Sequence, residues 1–145
     1  MQPARVVSMN TIDPFVGKWE LDPSALNYES GRPGKRATYI IEATSIGLLF
    51  TLDGEDGEGR PIRFRYGGPM DGSSQPLPGD GGLVLILKRV DEHTIESILK
   101  RGDIVLDRWT REISTDGRSI KMTQFVPNPA GGDFLNTSIY RRAAR

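Results

Sequence analysis

Alternation of apolar and polar residues, repeated along most of the chain, constrains this sequence more than any other feature. It is clearest at 15–21. Phe15, Gly17, Trp19 and Leu21 fall on one side, Val16, Lys18 and Glu20 on the other. A period of two marks a strand with one buried face. Trp19 is a large anchor for that face. Gly17 leaves room for another backbone or ring beside it. The same period returns at Tyr39, Ile41 and Ala43, at Leu48, Phe50 and Leu52, and at Ile62, Phe64 and Tyr66. It continues through 83–90, 94–100, 104–114, 119–126 and 134–141. Turn residues separate these runs, which predicts an all-β chain: a single antiparallel up-and-down barrel of about 8–10 strands with little helix, its first and last strands paired. Ser24 to Tyr28 has room for one helical turn, because Gly31, Pro33 and Gly34 stop anything longer. The glycine- and proline-rich stretch 67–82 reads as a long loop with at most one short strand. Residues 1–12 have no period and read as a flexible N-terminal tail, leaving 13–145 as the barrel domain.

Composition removes several function classes. The 145 residues suffice for one domain with a real core. Nineteen basic and nineteen acidic residues give a formal net charge of zero, so nothing favours nucleic acid. Cysteine is absent and His93 is the single histidine, which excludes disulfides, thiolate sites and multi-histidine metal clusters. No metal and no cofactor is expected. No apolar run reaches membrane-spanning length. Residues 1–12 lack the apolar core of a secretory signal. If Met1 is the natural start, the expectation is a cytoplasmic protein.

Three hairpins of the second half are registered from their turns. Asp116-Gly117 is a strong two-residue turn signal. It sets Ile113 opposite Ile120, Arg111 opposite Met122 and Trp109 opposite Gln124. A three-residue loop at 101–103 sets Ile95 opposite Trp109, Ser97 opposite Asp107, Leu99 opposite Val105, Glu96 opposite Arg108 and Ile98 opposite Leu106. A three-residue loop at 91–93 sets Lys88 opposite Glu96 and Ile86 opposite Ile98. All three agree on the faces. The inward face carries Leu85, Leu87, Ile95, Leu99, Trp109, Ile113, Ile120 and Met122. The outward face carries the charge ladder Lys88, Glu96 and Arg108, which a one-residue slip would bury. Two features depart from a plain apolar interior. Arg89, Ser97, Asp107, Arg111 and Gln124 also point inward, and Val84, Ile86, Ile98 and Leu106 form an outward apolar stripe.

Four short motifs carry a resemblance. They are the opening Phe15-Val16-Gly17-Lys18-Trp19-Glu20-Leu21-Asp22-Pro23, the hairpin Asp91-Glu92-His93-Thr94-Ile95-Glu96, the late hairpin from Arg111 through Ser114-Thr115-Asp116-Gly117-Arg118, and the closing Ile139-Tyr140-Arg141-Arg142. In this order and spacing, the chain from Phe15 to Arg142 resembles a small bacterial lipocalin-like protein of the calycin group, which unites lipocalins and fatty-acid-binding proteins. The resemblance implies a barrel holding an apolar ligand in its lumen. It implies that Arg141 or Arg142 packs over Trp19. The closing Arg-x-Tyr of fatty-acid-binding proteins, which holds a ligand carboxylate, is matched at Tyr140, but Ser138 stands in the place of its arginine. The helical lid of that family is missing or reduced to the turn near Ser24.

The expected function is non-catalytic binding of a small apolar or amphipathic molecule in the lumen. The candidate ligand-binding residues are Trp109, Arg111, Tyr140, Met122, Gln124, Asp107, Phe64 and Tyr66. Arg111, flanked by Trp109 and Ile113, reads as an anchor for an anion or carbonyl. The plainer reading, and the one placed first, is one half of an internal salt bridge, through water to Asp107, or a barrel-end arginine reaching solvent. Two other readings of the barrel stand beside binding. One is a lumen enzyme of isomerase, cyclase or decarboxylase type using Asp107, Arg111 or Tyr140. The other is a structural module with its lumen filled by side chains. The stripe Ile86, Ile98 and Leu106 is expected to form a homodimer interface or to lie under the chain's own tail or loop. His93 reads as a solvated turn residue. The acidic run 53–59 reads as a charged turn, not a calcium loop. Arg32, Lys35 and Arg36 read as a solvated loop or the flank of a barrel mouth. No serine has the partners of a hydrolase triad.

Overall fold

The computed structural model describes residues 13–77, 79 and 81–143. The expected tail at 1–12 lies outside the described residues. The strands are β1 Gly17–Leu21, β2 Asn27–Tyr28, β3 Arg36–Ala43, β4 Leu48–Glu55, β5 Pro61–Gly68 and β6 Asp71–Pro76. They continue as β7 Leu83–Asp91, β8 Thr94–Arg101, β9 Ile104–Ile113, β10 Ser119–Pro127 and β11 Asp133–Arg142. Ten of them follow one antiparallel path, β5-β4-β3-β1-β11-β10-β9-β8-β7-β6, and β2 adds to β11. This is the meander the alternation predicts, with first and last strands paired through Trp19 opposite Arg142 and Leu21 opposite Tyr140. The barrel is nearly closed. Its seam lies between β5 and β6, where the Gln75 carboxamide packs on Gly68 and donates to the Pro69 carbonyl at 3.3 Å. The short strand β6 occupies the stretch read as mostly loop. Among the described residues there is no helix, so the turn expected at Ser24–Tyr28 does not form. Asn27 and Tyr28 pair with Thr137 and Asn136 instead, because β11 offers them backbone partners.

The apolar face of β1 anchors the closed end. Trp19 is 0% exposed, and its indole Nε1 donates to the Phe15 carbonyl at 2.9 Å. The Arg142 guanidinium lies over the Trp19 ring, 4.1 Å from its centroid. It donates to the carbonyls of Val16, Pro14 and Gly117 at 2.9, 2.8 and 3.0 Å. The resemblance left open which arginine does this; it is Arg142, while Arg141 points outward and donates to Asp22 at 2.8 Å. Gly17 makes the clamp possible. A Cβ there would stand 2.5 Å from an Arg142 nitrogen, and the glycine holds φ +145°. Phe15, Trp19, Ile41, Leu48, Phe50, Leu87, Ile95, Ile113 and Ile120 make this end a packed core.

The register derived from Asp116-Gly117 is the observed one, from Ile113 opposite Ile120 to Trp109 opposite Gln124. Lys88 opposite Glu96 and Ile86 opposite Ile98 also stand. The β8–β9 register is corrected. Arg101 pairs with Ile104 around a two-residue turn, Gly102 supplying its positive φ of 60°. The register then shifts between Leu99 and Lys100, which sets Leu99 opposite Asp107, Ser97 opposite Trp109 and Ile95 opposite Arg111. The tighter turn and the extra residue, Leu106, displace the pairing from Asp107 onward by two, which preserves the faces there; Val105, expected opposite Leu99, pairs with Lys100 and is exposed. Arg108 therefore reaches Glu96 diagonally, at 3.6 Å, rather than from directly across. The β7–β8 turn is likewise two residues, Asp91 pairing with Thr94. There a bulge at Val90 restores the expected pairing. The outward stripe of Val84, Ile86, Ile98 and Leu106 is half-buried throughout.

Two predictions follow from the clamp region. Trp19→Ala loses about 3–5 kcal/mol in denaturant unfolding, as a fully buried aromatic does; a loss below about 1 kcal/mol would show the ring is not an anchor. Asp22 accepts from the Ser24 hydroxyl at 2.6 Å, the Ser24 amide at 2.9 Å and Arg141, which hold its carboxyl down at about 2. A depressed carboxylate stabilises the fold above its unfolded pKa, and that help fades as pH falls through the folded value. Asp22→Asn should melt lower than wild type at neutral pH, the gap closing between about pH 4 and 2; a gap independent of pH would contradict it.

Candidate functional site

The site grows from the inward face of β9. Counting back by twos from Ile113 brings Arg111, Trp109 and Asp107 to the interior, one above the other. Arg111 is only 2% exposed. Its Nη1 donates to the Ser97 hydroxyl on β8 at 2.6 Å. Its Nη2 reaches across the barrel and donates to the Tyr66 hydroxyl on β5. The Tyr66 hydroxyl lies 3.3 Å from that of Tyr39 on β3. The guanidinium carbon sits 4.8 Å from the Phe50 ring centroid and 5.7 Å from those of Tyr39 and Tyr66. Those ring faces stabilise a cation. They do not neutralise it, and among the described residues no carboxylate lies within ion-pair distance of Arg111. Its Nε is buried without a hydrogen-bond partner. The expected salt bridge to Asp107 does not form, because Asp107 accepts from Gln124 Nε2 at 3.0 Å instead. Nor does Arg111 reach solvent at a barrel end.

Arg111 and the tyrosines divide the interior into two parts. Toward Ile113 the inward residues are the packed core. Away from it they open: Leu52, Leu99, Asp107, Trp109 and Gln124 are half-buried, and Phe64 is 57% exposed. Phe64 keeps the expected inward parity, opposite Leu52, but it is not core. It stands on β5, the strand that ends the hydrogen-bonded path, so no neighbour covers its far side. Solvent thus enters the barrel at this end. Met122 lies beside Arg111 on the apolar wall. Tyr140 packs edge-on against Tyr39, with ring centroids 5.2 Å apart. Its hydroxyl has no hydrogen-bond partner among the described residues. Burial pushes the Tyr66 and Tyr140 phenols well above their ordinary values, so both are neutral hydroxyls. Burial also raises the Asp107 carboxyl, Gln124 opposing it.

Of the sequence-predicted residues, Arg111, Tyr66, Trp109, Met122, Gln124 and Asp107 line one continuous stretch of interior. Tyr140 borders it through Tyr39, and Phe64 stands at its open end. Ser97, Tyr39 and Asn136 belong with them and were not among the predicted set. Parity alone reaches Asn136, two residues before Ser138 and four before Tyr140 on β11. Asn136 is 4% exposed and donates to Gln124 Oε1 at 3.2 Å. Among the described residues no cluster of histidine, cysteine, aspartate or glutamate has the makings of a metal site. In the acidic run, Asp56 accepts from Arg60 at 2.9 Å, and Arg36 pairs with Glu55 at 3.1 Å, which fits charged turns. His93 is exposed and lines two surface depressions at the closed end, of about 480 and 400 Å³, both outside the barrel. Among the described residues no helix is long and apolar enough to cross a membrane.

Comparison with solved structures matches this architecture over nearly the whole chain. The wild-type fluorescent protein UnaG superposes with a TM-score of 0.64 at 16% identity, covering 92% of this chain and 100% of UnaG. A secretary abundant heat soluble protein from Ramazzottius varieornatus gives 0.67 at 9% identity, covering 92% and 98%. Lobster apocrustacyanin A1 gives 0.50 at 12% identity, covering 97% and 67%. The fold is a calycin-type barrel. No protein-family model matches the chain, and no curated protein does.

The buried cation yields a stability prediction. Arg111→Met puts a flexible apolar side chain of similar length in place of a desolvated charge without a counter-ion. Replacing buried ion pairs by apolar side chains of similar volume is often neutral or stabilising by about 1–4 kcal/mol, and a buried charge with no counter-ion has less to lose. The ligand-free variant should unfold at the same or higher denaturant concentration than wild type. A destabilisation above about 2 kcal/mol would mean that Ser97, Tyr66 and the rings compensate the charge fully.

Proposed function

We propose that the barrel binds a small amphipathic molecule in the open half of its lumen, and that Arg111 meets the molecule's carboxylate or carbonyl group. The observation that carries this reading is the Arg111 guanidinium: buried, lacking a carboxylate partner, with one nitrogen unsatisfied. A buried charge in that condition is unfavourable to folding, and an acidic ligand would relieve it by charge-assisted hydrogen bonds. The surrounding wall suits the rest of such a molecule. Trp109, Leu99, Leu52 and Met122 supply apolar area with few polar groups, the usual composition of a small-molecule site. The calycin-type fold supports the reading without deciding it, because one fold hosts many functions. Among the described residues no second arginine stands beside Arg111, and this matters for selectivity. Ser138, small and 5% exposed, occupies the inward position beside Met122. Arg111 therefore acts alone on the acidic group.

A fluorescent fatty-acid analogue should bind wild type and quench Trp109. Arg111→Met should weaken anionic probes by about 1.5–3 kcal/mol, the range for hydrogen bonds to charged groups, and leave neutral probes of the same shape unchanged. Equal weakening of both would make Arg111 structural. If no apolar probe binds wild type at all, the lumen is filled by its own side chains and the proposal fails.

A further inference from the structure

The carboxylate of Asp107 is a polar group for which the ligand reading above has no use. Asp107 points inward on β9, four residues from Arg111, a separation of about 13 Å along an extended strand. It is half-buried, and no cation lies within ion-pair distance of it among the described residues. One of its oxygens accepts from Gln124 Nε2 at 3.0 Å; the other has no partner among the described residues. Gln124 is fixed in turn. Its Oε1 accepts from Asn136 Nδ2 at 3.2 Å. Asn136 is itself locked, because its Oδ1 accepts from the Glu29 and Ser30 amides at 2.9 and 3.1 Å and its Nδ2 donates to the Ser30 carbonyl at 2.9 Å. The relay crosses three strands, β9, β10 and β11, and ends on the backbone beyond β2. It settles which end of the Gln124 amide faces Asp107: nitrogen toward the carboxylate, oxygen toward Asn136. A carboxylate held this way leaves one acceptor oxygen without a protein partner, among the described residues, at a half-buried, inward position.

We propose that Asp107, positioned by Gln124 and Asn136, forms a second polar subsite that takes a hydrogen-bond donor at the far end of the ligand. The inference rests on the lumen-binding reading and narrows its ligand class. The molecule is bipolar, with an acidic or carbonyl group at Arg111, an apolar middle against Trp109, and a primary ammonium or hydroxyl at Asp107. The two subsites demand opposite chemistry. Arg111 has only donors to offer, and ionised Asp107 only acceptors. An ammonium satisfies Asp107 better than a hydroxyl, because it adds charge to the hydrogen bond in a partly desolvated place. A ligand bound in reverse would set like charges together at both ends, so the pair of subsites also fixes direction.

The test measures dissociation constants of dodecanoic acid and its ω-amino and ω-hydroxy derivatives by calorimetry, on wild type and on Asp107→Asn. Asparagine keeps the shape and removes the charge. The ratio of ω-amino to unsubstituted affinity should fall at least about tenfold in Asp107→Asn, while dodecanoic acid binds both proteins alike. The ω-hydroxy ratio should fall less. Asp107→Ser reads the same ratio if the asparagine variant folds poorly. Gln124→Leu, which keeps the carboxylate but removes its holder, should show an ω-amino preference between those of wild type and Asp107→Asn; a preference equal to wild type would mean Gln124 does not position Asp107. An unchanged ratio in Asp107→Asn, with dodecanoic acid still bound, overturns the second subsite and leaves lumen binding intact. Failure of wild type to bind any of the three compounds overturns both.

Discussion

The pairing of the first strand with the last, clamped by Arg142 on Trp19, is the contact on which the barrel depends. A meander closes only if its ends meet, and here they are separated by almost the whole chain. Ordering such a long loop costs entropy before any contact rewards it. The reward is concentrated. Trp19 brings apolar area and a satisfied indole, and Arg142 adds a cation over the ring and hydrogen bonds to three carbonyls that would otherwise end in loops. Gly17 gives up its side chain so that the guanidinium can pass. The same residues seal one end of the barrel, and that fixes which end remains open.

Sealing one end gives the interior its gradient. Near the clamp, apolar side chains pack to exclusion of water. At mid-height, Arg111 reaches from β9 to Tyr66 on the far wall, so a polar layer spans the lumen where a filled barrel would place leucine or isoleucine. Beyond it, inward side chains are half-exposed, and the seam between β5 and β6 is held by the Gln75 side chain in place of a backbone ladder. A desolvated guanidinium is tolerated because ring faces and two hydroxyls share its field. It is not neutralised by them. The packed end below it offsets this unfavourable charge.

Much of this was legible in the residues. Alternation gave the strands, turn chemistry gave two of three hairpin registers, and parity put Arg111, Trp109 and Asp107 inside. The β8–β9 register was misplaced by two. Its loop can be read as two or three residues, and a bulge leaves no mark on composition. From Asp107 onward the faces survived because side-chain direction repeats every two residues, while Val105, on the turn side of the bulge, changed partner from Leu99 to Lys100. Phe64 shows the limit of parity: it points inward by count, yet sits on an edge strand with nothing beyond it. Asn136 shows the reverse, a polar residue of plain appearance that became buried once β2 laid its backbone against it.

The sequence by itself determined the fold class, the order of strands and the list of side chains facing in, because these follow from local period and turn chemistry. Only the tertiary structure decided what those side chains meet. Arg142 rather than Arg141 took Trp19, since parity and the position of Gly17 together leave space on one side. Arg111 met Ser97 and Tyr66 and no acid, and Asp107 met an amide and no base. Such partnerships join strands far apart in the chain, and they depend on the curvature and stagger that close the barrel, which no local pattern encodes.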